Sequence, residues 1–556
     1  MGRQHSNNNR GRGSTSRGSS SKLTGSSGRT ISDCERNRDS YAHPSDKQSW
    51  GKSGSNDPSW YAATPELLRD AASLPFANNL GIPINVFPYD YSIPGIMTID
   101  YMPTYGWASG EADPLSVAAT NIYSFVRHQN SGSANYDAPD LMVYLIAMDN
   151  VFQAIAYFRR LYRTAMLGSY VNRYVPRALL RAQGADPDPV FAQLAQLRFT
   201  INSWITRASV LAVPNTMPIF TRHSWMCDNV YGDGVSAKSQ LYMYRPVGFY
   251  RYNGDTEASA LTAFQNPFTE STAAAGGVSD IIATVDAVLS SMLQPILGSE
   301  DFNIMSGDIL KAYQGNIHHL AALNESDTLM PLFDTEVLSQ IHNAFAPGGL
   351  TWTFQADDFN ITQDVSRGIL LTQPRMRIGA AKVQLLLKLQ SLILDMRMDN
   401  PTPADVMVAT RLMPALSTAR IVQMQAAATP DYIPVDPGTE LPVRTCIVVE
   451  AQRPWLHPCG SLAEFPEDAW NSTTPQISVL EGRMRALRFD LLATQFDWHP
   501  LMYIDYGTDG GMDPPRPAER YGIIGDLSNF TTLSNSTLSN MHRVAVLSEL
   551  DVTLRG

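Results

Sequence analysis

The run LMVYLIAMDNVFQAIAYFRRLYRTAML occupies Leu141–Leu167. It puts Leu145, Met148, Phe152, Ile155 and Tyr162 on one face. Asp149, Gln153, Arg160 and Thr164 gather on another, about a third of a turn round. That spacing is helical, since a strand would alternate. At about 1.5 Å per residue the helix spans about 40 Å. In a second run Asp188 reads as an N-cap and Pro189 as the first helical position. Val190, Leu194, Leu197, Ile201, Trp204, Ala208 and Leu211 then recur at spacings of four and three, and Pro214 closes the run. The expectation for Asp140–Pro214 is two long helices joined by a polar turn, within a mainly α (α+β) protein.

Charge is the most informative property outside this stretch. The chain of 556 residues carries a net −11. Residues 1–57 hold ten Lys or Arg against five Asp or Glu, a net +5, so the rest carries −16. The amino-terminal segment is rich in Gly, Ser, Asn and Arg and has too few apolar residues to offset its chain entropy by burial. It is expected to be a disordered basic arm. Arg3, Arg10, Arg12, Arg17, Lys22 and Arg29 precede its first acid, Asp33. Arginines spread among Gly and Ser suit phosphate contact without base reading. A basic arm on an acidic body points to the arm as the part that meets a polyanion.

Other segments are read by local signals. Pro65–Leu74 and Ala112–His128 are expected as helices, flanking an extended Pro- and Tyr-rich strap at residues 78–107. Asn215–Gly277 reads as strands and loops. Further helices are expected at Val278–Leu293, Asp301–Tyr313, Thr335–Phe345, Ile378–Met398, Pro403–Met413 and Glu481–Ala493. Strands are expected at Thr351–Phe354, Phe359–Thr362, Val443–Ala451 and Ile477–Leu480. A chain this long exceeds one compact core. The expected organisation is an arm at 1–57, a helical shell domain at 58–214 and 278–428, and strand-rich candidate projections at 215–277 and 429–556. The longest apolar run, Leu141–Phe158, carries Asp149, Asn150 and Gln153, so it reads as a buried helix rather than a membrane span. Without an apolar segment after Met1, the chain reads as soluble and non-secreted. Cys34, Cys227, Cys446 and Cys459 lack zinc or redox spacing.

Catalytic signatures are weak. Gly232–Ser239, GDGVSAKS, nearly fits a phosphate loop, but Ala237 stands at the last glycine and a strand-like run follows where a helix is needed. His318-His319 cannot chelate together as helical neighbours. Asp505, Asp509 and Asp513 lie in a Gly-rich loop without EF-hand spacing. Asp357-Asp358 has no nominated partner, and Cys227 and Cys459 have no activating context. No catalytic residue, metal ligand or cofactor is assigned.

YLIAMDNVFQAIAYFRRLYRTAML, SYVNRYVPRALL (Ser169–Leu180) and FAQLAQLRFTINSWITRASVLAVPNTMP (Phe191–Pro218) resemble the capsid proteins of picobirnaviruses, small double-stranded RNA viruses. Asn172-Arg173-Tyr174-x-Pro176, Ile201-Asn202 and Val213-Pro214 carry most of the likeness. The resemblance implies symmetric dimers on a T=1 icosahedral lattice, a helical shell domain and a smaller projecting domain. It implies a virion protein made in the host cytoplasm, an inward or exchanged arm, and RNA as a partner without stable membrane insertion. The host receptor is left open. In some relatives the arm is self-cleaved after an Asn; nothing here selects among Asn56, Asn78 and Asn79. The rival readings are a non-assembling RNA-binding nucleocapsid, which would more naturally have a basic body, and a nucleotide-hydrolysing enzyme using the Gly232–Ser239 loop.

Overall fold

The structure, a computed structural model, describes residues 65–550 with gaps, the longest at 168–173, 271–276, 417–431, 465–489 and 506–520. Its axis is the helix Ala138–Ala165. The helix starts where the backbone N–H of Asp137 donates to the Asp140 carboxylate at 2.9 Å, with Pro139 in the first turn where a missing N–H costs nothing. By length and composition it could cross a membrane, yet it is buried inside the protein. The apolar face and the polar stripe are both covered, including Asp149, Asn150, Gln153, Arg160 and Thr164. Around it pack the helices Pro114–Gln129, Tyr174–Ala182, Leu194–Ala208, Pro218–Asp228 and Ile281–Leu297.

The second helical run differs from its reading. A separate helix, Tyr174–Ala182, stands between the two expected ones, so no single polar turn joins them. Asp186, not Asp188, is the N-cap, and its carboxylate accepts the Asp188 N–H at 3.2 Å. Pro187 and Pro189 then both fall in the first turn, where backbone donors have no helical partner anyway. That short helix, Pro187–Ala192, breaks at Gln193 before Leu194–Ala208.

Beside the central helix lies a five-stranded sheet. Its strands are β1 (Ile96–Pro103), β2 (Tyr231–Gly232), β3 (Leu241–Pro246), β4 (Glu440–Val449) and β5 (Trp455–Cys459), in the order β5-β4-β1-β3-β2. β1 runs parallel to β3 and antiparallel to β4. β1 and β3 are buried along their whole length, as strands covered on both faces must be. Pro442 sits next to the register shift in β4, where a missing ladder donor is tolerated.

Several expectations are corrected here. Within the strap at residues 78–107, Pro83–Val86, Tyr89–Ser92 and Ile96–Pro103 are strands, and the last of them is β1, inside this chain's own core. Asn215–Gly277 contains the helix Pro218–Asp228, whose Thr, His, Trp and Cys disguise it because none is a strong helix former. The strands Leu241–Pro246, Gly248–Tyr252, Ser259–Gln265, Tyr432–Asp436 and Glu440–Val449, in segments set apart as candidate projections, belong to the central core. Ile378–Met398 does not stay helical: Ser391–Met396 is a strand paired with Asn529–Ser534. Long-range pairing there outweighs the helix preference of a Leu-rich segment. Trp352–Phe354 is irregular, not a strand. The other expected helices and strands form within a few residues of their predicted bounds, except Ile477–Leu480 and most of Glu481–Ala493, which lie outside the described residues.

Candidate functional site

Two buried ionic centres hold the core together. In the first, Asp149 projects from the central helix and His223 from the helix Pro218–Asp228. His223 Nδ1 donates to Asp149 Oδ2 at 2.6 Å. Tyr105 OH donates to the same oxygen at 2.7 Å, and Asn150 Nδ2 donates to Tyr105 OH at 2.7 Å. On its other side His223 Nε2 lies 3.7 Å from Glu440 at the start of β4. Glu440 is gripped by Arg222 and by Arg411 at 3.2 Å. Both arginines also reach Glu549, near the end of the helix Asn535–Glu549. With His223 protonated, three cations meet three carboxylates, so the cluster is neutral in a medium that penalises net charge.

The protonation states follow from this geometry. Burial disfavours charge on His223, but the Asp149 and Glu440 carboxylates outweigh it and hold its pKa above the usual imidazole range. Burial also pushes Glu440 up, and Arg222 and Arg411 overcome that and hold it well below the carboxylate range.

The second centre lies across the sheet. Asp100 on β1 faces Arg245 on β3 and Arg444 on β4 in register. Arg245 grips both carboxylate oxygens, at 2.8 and 2.7 Å, and Arg444 Nε donates at 2.7 Å. Burial raises Asp100 and the two arginines overcome it, leaving the pKa lowered. Nearby, the fully buried Arg160 faces no carboxylate within its hydrogen bonds. It donates to Gln183 Oε1 at 3.1 Å and to the carbonyls of Met226, Asn229 and Tyr244 at 3.3, 3.2 and 2.8 Å. A planar five-donor head can satisfy several carbonyls at once.

The candidates singled out from sequence are scattered. Arg3, Arg10, Arg12, Arg17, Lys22, Arg29, Asn56, Asn78 and Asn79 lie outside the described residues, as do Asp509 and Asp513. The loop at Gly232–Ser239 leads into β3, and Lys238 bonds the Phe76 carbonyl. His318 sits in irregular chain after the helix Glu300–Ala312 and packs on the Phe152 ring at 5.4 Å. Asp358 is held by Arg377 at 2.8 Å. Burial pushes the Cys227 thiol up to about 12. Of the ionic residues, only Asp149 and Arg160 stood out in the sequence, as charges in an apolar helix. Arg222, His223, Glu440 and Glu549 are brought together by the fold alone.

Every charge in these centres is spent on another segment of the same chain, which is the chemistry of a scaffold. A family profile described as "Picobirnavirus, Capsid protein" matches residues 60–441. The capsid protein precursor of Human picobirnavirus (strain Human/Thailand/Hy005102/-) is 31% identical over 533 residues, covering 90% of this chain and 92% of the relative. The X-ray crystallographic structure of the picobirnavirus capsid matches with a TM-score of 0.72 at 22% identity, covering 90% of this chain and 99% of that one. At that identity the structural match carries the fold. These findings define a viral shell protein, a structural component of the virion. The chain belongs to the picobirnavirus capsid protein family.

Proposed function

We propose that this chain assembles as symmetric dimers into a closed T=1 icosahedral shell and packages RNA without sequence preference through its amino-terminal arm. The observation that carries the RNA half is the division of charge, +5 on residues 1–57 against −16 on the rest. Single arms bind weakly, but many on one inner surface act together. An acidic wall repels the genome and keeps it mobile. In this reading the central helix, its neighbours and the five-stranded sheet form the wall. The helix Asn535–Glu549, tied into the ionic cluster through Glu549, belongs to the wall as well, and the projection is drawn from the chain between β5 and that helix, with no catalytic step involved. An RNA-binding protein that never assembles would not need an acidic body.

The test is negative-stain microscopy and mass photometry of the full chain beside a version lacking residues 1–57. Closed particles from both, with RNA only when the arm is present, are expected. RNA retained without the arm removes the arm's role, and small oligomers across salt and pH remove the shell.

A further inference from the structure

The two-stranded sheet of Ser391–Met396 and Asn529–Ser534 carries a free edge whose direction follows from its hydrogen bonds. Ile393 N–H donates to Tyr503 OH at 2.9 Å, and Asp395 N–H donates to Asn343 Oδ1 at 2.8 Å. Both therefore point away from the neighbouring strand. In an antiparallel pair, opposed residues exchange both bonds or neither. Thr532 and Phe530 oppose Ile393 and Asp395, so their N–H and C=O groups also point outward. Among the described residues, no third strand lies beside them.

This edge lacks the usual protection. Asn529–Ser534 reads NFTTLS, without charge or proline, the devices that keep bare edges apart. Phe530 is 56% exposed, and Leu527 just before it is exposed as well. We infer that Asn529–Ser534 pairs with the same strand of a second copy across a two-fold axis at Thr531. The inference rests on the shell reading above, and it names the contact. An extended edge recognises another extended backbone, and a two-fold antiparallel pairing lets one strand serve as both halves of the contact. The outward residues fix the register. Phe530 of each copy opposes Thr532 of the other, giving four new backbone bonds. Thr531 opposes itself in the close, non-bonded pair, and the two Phe530 rings lie diagonally on one face.

A cysteine at the axis reads this register directly. Close pairs have Cα atoms about 4.5 Å apart, within disulfide reach. Thr531→Cys, made in a Cys34→Ser background, is expected to give a covalent dimer under mild oxidation, alone and within particles. Thr532→Pro removes one outward donor and leaves the inward ladder intact. It should weaken dimerisation at least tenfold by sedimentation without changing thermal unfolding. Phe530→Lys should do the same if the proline variant folds poorly. No covalent dimer, or both variants associating like wild type, overturns the pairing. Particles that form without the cross-link keep the shell and sink this contact. A cross-linked dimer that never closes into particles keeps the contact and sinks the shell.

Discussion

Two histidines near Glu440 respond to pH with opposite sign. His542 donates to the Met413 carbonyl at 2.6 Å, and burial holds its pKa down at about 4. The unfolded chain, with an imidazole near ~6.5, binds the proton more readily between those values. Stability therefore falls as pH drops through that window, by about 3 kcal/mol from this group alone. His223 has a raised folded pKa, so its contribution is full below the unfolded value and is lost as pH climbs through the folded one. Denaturant titrations from pH 4 to 9 should show His542→Gln with a flatter acid limb and His223→Gln with a flatter alkaline limb. Arg160 gives a simpler prediction. Arg160→Ala strands three backbone carbonyls in the core and should cost about 3–5 kcal/mol, read as a fall in denaturation midpoint. At this scale sequence reading saw Asp149 and Arg160 because charge in an apolar helix is visible locally. It missed His223, whose acid partners lie 74 and 217 residues away along the chain.

At the scale of elements, local chemistry explains what was legible. Helices with proline openings, such as Pro114–Gln129 after Asp113 and Pro403–Ala409 after Thr402, start where their first turns say they should. Ser391–Met396 was illegible because its partner lies more than 130 residues downstream and its own letters favour a helix. The helix Tyr174–Ala182 ends through a contact that the sequence signals only as a glycine. Gly184 has φ +83°, and a Cβ there would stand 1.7 Å from the Phe268 carbonyl oxygen. Backbone bonds from Asp186 and Val278 close the same spot, at 2.9 and 2.8 Å. Gly184→Ala should therefore cost at least ~2 kcal/mol, through left-handed strain and the clash together. A thermal melt of the purified variant checks it.

At the scale of the whole molecule, the division of charge makes a prediction about salt. If Arg3, Arg10, Arg12, Arg17, Lys22 and Arg29 each neutralise a phosphate, log K for duplex RNA falls with log salt at a slope of about −5. Changing all six to Ser should flatten that slope towards zero while leaving shell formation unaltered, as anisotropy titrations from 50 to 200 mM salt would show. The five-stranded sheet was not legible, because its strands come from the first, middle and last thirds of the chain. Such pairings leave no periodic trace.

That sheet and the ionic cluster set the order of events during synthesis. β1 waits for β3, about 140 residues behind it on the ribosome, and for β4, about 340 behind. The cluster around Glu440 closes only when Glu549 has emerged. A nascent chain stalled earlier holds Arg222 and Arg411 one carboxylate short and the core open, a state prone to aggregation and degradation. Chains truncated ahead of Glu549 are therefore expected to aggregate or be degraded before they reach the folded state, as pulse-chase of a chain stopped at residue 540 would show.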